Sequence, residues 1–174
     1  MKTILIVEDE KIIPMDYQIN LEKKGFPVIK TVDNGIEAIK TAVDLRPNII
    51  LMDINIRGER NGIEIAKEIY LHYNPVIIFI SAFIDEFSRN FGFNWIFMRK
   101  PISSIDILRM VIKVDLGIMN PNCRVKESDF ADLGECQSVE NNTCEHLVEY
   151  GEKFLCIHEN WKELLAIEKK ILLP

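Results

Sequence analysis

The sequence has no long hydrophobic run. Its longest apolar stretches, at residues 4–7 and 76–80, have the length of β-strands, whereas a helix that crosses a bilayer needs about 20 apolar residues. The apolar stretch near the N-terminus is also too short for a secretory signal peptide. We therefore expect a soluble protein of the cytoplasm, with no insertion into a membrane.

Positive charge is not in excess either. The 174 residues contain 21 Lys and Arg against 27 Asp and Glu, which gives a net charge of −6. The excess of acid lies entirely in residues 115–174, which hold 12 acidic and 6 basic side chains. Because an acidic segment repels the phosphate backbone of nucleic acids, we expect no direct binding to them.

Cysteine is absent from the first 122 residues and then occurs four times. Cys123 precedes a cluster made of Cys136, Cys144, His146, Cys156 and His158. Disulfides rarely stabilise cytoplasmic proteins, and zinc takes four nitrogen or sulfur ligands, so this cluster is a candidate Zn²⁺ site. The spacing lacks a Cys-x₂-Cys pair. An iron–sulfur cluster, a redox-active thiol pair, and a loop with ordinary thiols and surface histidines therefore stay open as alternatives.

The first two thirds of the chain alternate between strand-like and helix-like patterns. Strands are predicted over residues 3–7, 28–32, 48–52, 76–80 and 95–98, and helices over residues 11–24, from residue 34, over 61–73, 84–91 and 103–117. This alternation is typical of a parallel sheet with helices on both faces. We find no internal repeat.

Apolar residues at helical spacing predict which faces of two helices pack. On the first helix Ile12, Met15 and Ile19 share one apolar stripe, with Leu21 as a further candidate. On the second helix the predicted buried stripe consists of Ile36, Ile39 and Val43.

The character of the sequence changes after Gly117, so we predict a first domain over residues 1–118 and a C-terminal extension over 119–174. Residues 123–158 show no sustained period, whereas residues 160–173 predict a final helix with Leu164, Ile167 and Ile171 on one face. The extension has no pair of helices with a basic face and no enzymatic output motif.

Polar side chains follow four of the predicted strands. Glu8 and Asp9 follow the first strand, Asp53 the third, Ser81 the fourth and Lys100 the fifth. The carboxyl ends of parallel strands meet at one edge of a sheet, so these groups should converge there. Clustered carboxylates suit a hard divalent cation such as Mg²⁺, and a carboxylate beside Mg²⁺ and an ammonium group can accept a phosphoryl group.

Four short motifs carry a resemblance to a known family. Residues 4–10 (ILIVEDE), 50–55 (ILMDIN), 80–82 (ISA) and 100–101 (KP) resemble, in order, the receiver domain of two-component response regulators. The resemblance covers residues 1–117. It implies a flavodoxin-like, doubly wound, five-stranded parallel sheet with strand order 2-1-3-4-5, followed here by the small C-terminal extension.

The resemblance also assigns roles in binding the cation and the phosphoryl group. It implies that Asp53 is the phosphoacceptor and that Glu8, Asp9, Asp53 and the backbone carbonyl of Asn55 hold Mg²⁺. Lys100 would pair with the phosphoryl oxygens.

A conformational switch is implied as well. Ser81 would be the switch hydroxyl and Phe97 the switch aromatic, and the Lys100–Pro101 peptide would be cis. Phe97 has no hydroxyl, so it can donate no hydrogen bond. The loop at residues 54–62 is also one residue longer than the common family pattern.

These assignments predict a signalling phosphoprotein of a two-component system. A sensor histidine kinase would phosphorylate Asp53, and the altered surface would bind a downstream protein, with a second copy of the chain as a further candidate partner. The chain would catalyse only its own phosphorylation and dephosphorylation, so we expect no enzyme activity on a separate substrate.

Two other functions are alternatives for this sequence. A phosphatase resembling the haloacid dehalogenase family would carry Asp-x-Asp, but here Asp53-Ile54-Asn55 lacks the second acid. In the other alternative, a metal or redox sensor, the Cys/His extension is the input and the receiver is a scaffold.

Overall fold

The computed structural model describes residues 2–82, 95–118, 125–129, 133–137, 147–150 and 153–171. The chain divides into two units, Met1–Asp115 and Leu116–Pro174. The elements of the first unit are β1 (Ile4–Val7), α1 (Ile12–Lys23), β2 (Val28–Val32), α2 (Gly35–Leu45), β3 (Ile49–Asp53), α3 (Gly62–Tyr70), β4 (Val76–Ser81), β5 (Trp95–Arg99) and α4 (Ser104–Asp115). The helix predicted over residues 84–91 lies outside the described residues.

The first unit is built on a parallel sheet with strand order β2-β1-β3-β4-β5. This confirms the flavodoxin-like fold class. Every residue of β1 and β3 is buried, as the continuous apolar runs of these strands require. One face of the sheet packs through Leu5, Met52 and Phe79 against Ile65 and Ile69 of α3.

The exposed face of α1 differs from the prediction. Ile12, Met15 and Ile19 are 83%, 63% and 49% exposed, so these three residues of the predicted stripe face solvent, whereas the further candidate Leu21 is buried. The buried residues of α1 are Pro14, Tyr17 and Leu21. Both sets have helical spacing, and the sequence pattern alone did not show which of them packs.

The buried face of α2 also differs from the prediction. Ile36 is 86% exposed, and Ile39 and Val43 are only partly buried. The buried residues of α2 are Ala38, Thr41 and Ala42. Small side chains at these positions let the helix backbone lie close to its neighbours, so the bulky residues are pushed to the margin.

The second unit contains an antiparallel sheet that the sequence analysis did not predict. Its strands are β6 (Val125–Glu127), β7 (Gly134–Cys136), β8 (Leu147–Tyr150) and β9 (Lys153–Cys156), in the order β6-β7-β9-β8. Strands of three or four residues are too short to establish a two-residue period in the sequence.

One helix, α5 (Trp161–Ile171), completes the second unit and agrees with the predicted final helix. Trp161 lies over Gly134 of β7, where an added Cβ atom would come within 2.9 Å of the indole Cε3. The hydrophobic cluster of this unit consists of Ile118, Val125, Cys156, Trp161 and Leu164. No helix in the described part of the chain has the length and apolarity needed to cross a membrane.

Candidate functional site

The carboxyl ends of the parallel strands bring the predicted polar residues to one edge of the sheet. Glu8 and Asp9 follow β1, Asp53 ends β3, Ser81 ends β4 and Lys100 follows β5. Glu8, Asp53 and Ser81 are buried, with 4%, 4% and 1% of their surface exposed. The edge therefore carries charged groups that are largely removed from water.

Lys100 joins two of the carboxylates. Its Nζ lies 2.6 Å from Oδ2 of Asp53 and 3.1 Å from Oε2 of Glu8. The backbone N–H of Lys100 donates to the carbonyl of Ser81 at 2.8 Å, which fixes the start of this segment to the end of β4. The Lys100–Pro101 peptide is cis, as the resemblance implies.

The pKa values of Glu8 and Lys100 are both raised in this site. Burial and the nearby charge of Asp53 raise the pKa of Glu8 to about 7, although Lys100 acts in the opposite direction. For Lys100, burial lowers the pKa, but the hydrogen bonds to Asp53 and Glu8 outweigh it and the pKa is raised. Burial and mutual repulsion therefore disfavour the charged form of Glu8 more than Lys100 favours it.

The same acids fit a divalent cation. Glu8, Asp9 and Asp53 each offer a carboxylate oxygen, and these oxygens lie within 4.8 Å of one another. Hard cations such as Mg²⁺ prefer oxygen ligands of this kind. We call Glu8, Asp9 and Asp53 the acid cluster. Asn55 lies beside it, since its backbone N–H donates to Oδ1 of Asp53 at 3.0 Å, whereas a role for its carbonyl stays a prediction.

Gly62 has a part in placing Asp53 that the sequence does not reveal. The N–H of Gly62 donates to the carbonyl of Ile54 at 2.9 Å, and an added Cβ atom would lie 2.2 Å from the carbonyl oxygen of Asp53. Asn61 caps α3 at the same place through a capping box with Glu64. The Asn61-Gly62 signal predicted the start of this helix, but not the close approach of its backbone to the phosphoacceptor candidate.

Arg57 is a second residue that the sequence analysis missed. Its Nε lies 3.0 Å from Oδ2 of Asp9, and its side chain is 83% exposed. Arg57 lies in the loop between β3 and α3, where no sequence pattern predicts the direction of a side chain. The ion pair is therefore visible only in the structure.

Ser81 and Phe97 occupy the positions proposed for a switch. Ser81 is buried at the end of β4, and Phe97 in β5 is half-buried against the hydrophobic cluster that contains Phe79. Phe79 and Phe97 are also register partners in the sheet. The switch roles of Ser81 and Phe97 stay predictions.

The described residues do not complete the predicted metal site of the extension. Cys156 is buried in the cluster of the second unit, Cys136 is partly exposed, and Nδ1 of buried His158 accepts a hydrogen bond from the N–H of Asn160 at 3.0 Å. In the described part of the chain, only the acid cluster brings three ligand atoms together. The Zn²⁺ site stays a prediction because two of its candidate ligands, Cys144 and His146, lie outside the described residues, as does the upstream Cys123.

Comparison with solved structures finds receiver domains. The signal receiver domain of a modulated diguanylate cyclase from Desulfovibrio desulfuricans G20 is 31% identical, with a TM-score of 0.53 over 66% of this chain and 92% of that chain. A two-component response regulator from Clostridium difficile is 24% identical, with a TM-score of 0.58 over 69% of this chain and 99% of that chain.

The response regulator domain of Thermotoga maritima CheB is also 24% identical, with a TM-score of 0.57 over 69% of this chain and 97% of that chain. At 24% identity these two likenesses show the fold alone. Residues 4–111 match the family of response regulator receiver domains, and this match spans more than half of the chain. The strand order, the acid cluster and this match agree, and the chain therefore belongs to the response regulator receiver domain family.

Proposed function

We propose that this protein is a phosphorylation-dependent signalling switch whose phosphoacceptor is Asp53. A sensor histidine kinase is the proposed phosphoryl donor, and a downstream protein is the proposed target. The single observation that carries this proposal is the position of Asp53, which is buried at the end of β3 next to the other two acids and Lys100.

The proposed transfer uses the carboxylate of Asp53 as the nucleophile. A bond forms between a carboxylate oxygen of Asp53 and phosphorus, and the bond between phosphorus and the donor's histidine nitrogen breaks. The electron pair of the broken bond leaves with the imidazole, which takes up a proton.

The neighbours of Asp53 supply the charge that this transfer needs. Glu8, Asp9 and Asp53 would hold Mg²⁺, which when bound supplies positive charge to the phosphoryl oxygens. Lys100, already 2.6 Å from Oδ2 of Asp53, is placed to pair with those oxygens once the carboxylate becomes an acyl phosphate. Ser81 is the proposed hydroxyl partner of the same group.

The proposed output is a change in a protein-binding surface rather than a reaction on a separate substrate. Ser81 is the last residue of β4, and Phe97 lies in the adjacent strand β5. A movement of Ser81 toward the phosphoryl group would therefore change the surroundings of Phe97. We propose no enzymatic activity beyond phosphorylation and dephosphorylation of Asp53 itself.

Mass spectrometry tests the phosphoacceptor. Incubation of the full chain with acetyl phosphate and Mg²⁺ should add one phosphoryl group, and Asp53→Asn should abolish this addition because the nucleophile is lost. Asp44→Asn is the matched control, since Asp44 is an exposed aspartate on α2 and this variant should be labelled like the unaltered protein. Equal labelling of the two variants would refute Asp53 as the acceptor.

A further inference from the structure

We propose that Arg57 competes with the divalent cation for Asp9 and thereby lowers the cation affinity of the acid cluster. This inference rests on the proposed function, because it assumes that the acid cluster holds Mg²⁺. It assigns Arg57 as a positioning residue that acts through Asp9 and does not itself touch the reacting atoms.

The carboxylate of Asp9 contacts Arg57 and also belongs to the acid cluster. Nε of Arg57 lies 3.0 Å from Oδ2 of Asp9. Asp9 also offers an oxygen within 4.8 Å of ligand atoms of Glu8 and Asp53. The same short side chain therefore serves both the guanidinium and the cluster that would bind a cation.

The backbone around Arg57 is held in place. Arg57 forms an isolated parallel bridge with Asn34, whose side chain accepts a hydrogen bond from the N–H of Glu37 at 3.0 Å and caps α2. Gly58 follows with φ of +134°, a conformation that other residues rarely adopt. The guanidinium therefore reaches Asp9 from an anchored point in the loop between β3 and α3.

Arg57 and Lys100 differ in exposure and in the acids that they contact, so a bound cation should affect their ion pairs differently. Lys100 pairs with Glu8 and Asp53, and its side chain is 21% exposed. Arg57 pairs with Asp9, and its side chain is 83% exposed. A cation bound by Asp9 would stand close to the guanidinium, and the two positive charges repel each other. Since Mg²⁺ also demands strict ligand geometry, its binding should displace the more exposed partner, the guanidinium of Arg57.

The exposure of the Arg57–Asp9 pair limits the size of the effect. The Arg57 side chain is 83% exposed, although that of Asp9 is only 16% exposed. Ion pairs open to solvent on one side contribute little to stability, so removing this one should tighten cation binding by about two- to five-fold. A deeply buried pair would have predicted a larger change. The substitution should not affect folding, because the side chain is solvated.

Isothermal titration of the full chain with Mg²⁺ alone, without a phosphoryl donor, tests the inference. Arg57→Ala should bind Mg²⁺ about two- to five-fold more tightly than the unaltered protein. Arg60→Ala is the matched control, because Arg60 lies in the same loop but pairs with Glu68 at 2.6 Å. The control should keep the unaltered affinity, because its pair does not involve the acid cluster.

Each outcome of the titration decides the inference. Unchanged or weaker binding in Arg57→Ala would overturn it, since an orienting contact to Asp9 would give weaker binding. Equal tightening in Arg60→Ala would also overturn it, because the effect would then be one of net charge. Failure of the unaltered protein to bind Mg²⁺ would refute the proposed function as well, whereas normal binding with no effect of Arg57→Ala would refute only the role of Arg57.

Discussion

Lys100 is the one cation within hydrogen-bonding distance of both Glu8 and Asp53 in the described part of the chain. Replacing it with methionine would leave two buried carboxylates without that partner. Removing one partner of a buried pair is costly, and because Lys100 is partly exposed we expect Lys100→Met to lower the free energy of unfolding by about 1–3 kcal/mol. Chemical denaturation in the presence of a chelator measures this loss.

Lys30→Met is the control for that measurement. Lys30 lies 2.8 Å from Glu37, and the two side chains are 44% and 41% exposed, so the loss should stay below about 1 kcal/mol. Added Mg²⁺ should restore part of the stability of Lys100→Met, because a ligand that binds only the folded state stabilises it. Equal losses in the two variants would argue against the charge balance described for the site.

Gly62 and Gly35 occupy equivalent first positions in α3 and α2, but their surroundings differ. At Gly62 an added Cβ atom would meet backbone, 2.2 Å from the carbonyl oxygen of Asp53 and 2.9 Å from Cα of Ile54. At Gly35 it would meet the end of the Ile65 side chain, 2.5 Å from Cδ1, and that end can rotate away.

We therefore expect Gly62→Ala to cost about 1–3 kcal/mol of stability, as overpacking does, and to slow the labelling of Asp53 by acetyl phosphate. Gly35→Ala should change both quantities much less. Thermal unfolding and the rate of phosphorylation, measured on both variants, provide the comparison. Normal labelling of a stable Gly62→Ala protein would mean that the contact does not position Asp53.

At the scale of elements, α1 shows how far hydrophobic spacing can predict a packed face. The pattern located this helix to within a residue at each end, but it selected Ile12, Met15 and Ile19, which are exposed, and included the buried Leu21 only as a further candidate. Two apolar stripes of similar spacing compete in this helix, and only the packing of neighbouring elements decides between them. The helix was therefore predictable and its orientation was not.

The two faces of α1 should respond differently to truncation. Leu21 has no exposed surface, so Leu21→Ala should cost about 2–5 kcal/mol through lost burial and the cavity that remains. Met15 is 63% exposed, so Met15→Ala should cost less than about 0.5 kcal/mol. Urea denaturation of both variants measures these losses of stability. A large loss of stability in Met15→Ala would mean that the stripe predicted from the sequence is the packed face.

Local signals predicted some elements well and others not at all. The start of α3 was predictable because Asn61 and Glu64 form the capping box that the sequence pattern indicates. The short strands β6 and β7 were not predictable, because their stability depends on strand pairing and on the packing of Trp161 over Gly134. Contacts of that kind join residues that are distant in the chain, so they produce no periodic pattern in the sequence.

At the scale of the whole molecule, the sequence predicted the charged residues of the site better than it predicted the neighbouring residues that contact them. Glu8, Asp53 and Lys100 could be identified because a parallel sheet always gathers the carboxyl ends of its strands. Arg57 and Gly62 could not, because their roles depend on the path of a loop and on a backbone approach of a few ångströms.

The distribution of charge yields a prediction for the molecule as a whole. The net charge is −6, and residues 115–174 hold 12 acidic and 6 basic side chains. Binding to DNA gains most of its affinity from basic side chains that replace counterions at phosphates. We expect no salt-sensitive, sequence-selective shift of DNA by the purified protein in an electrophoretic assay, with or without acetyl phosphate. A selective shift would show that charge does not govern this interaction.

The ion pairs of the site also constrain when it can form during synthesis and folding. Lys100 is separated by 47 residues from Asp53 and by 92 residues from Glu8, although its ammonium group contacts both. Contacts between residues so far apart in the chain require most of the sheet to be paired first. A nascent chain that has emerged only beyond Asp53 therefore carries the nucleophile without its surroundings. Reactivity toward acetyl phosphate, followed in a refolding experiment, should appear together with the completed sheet.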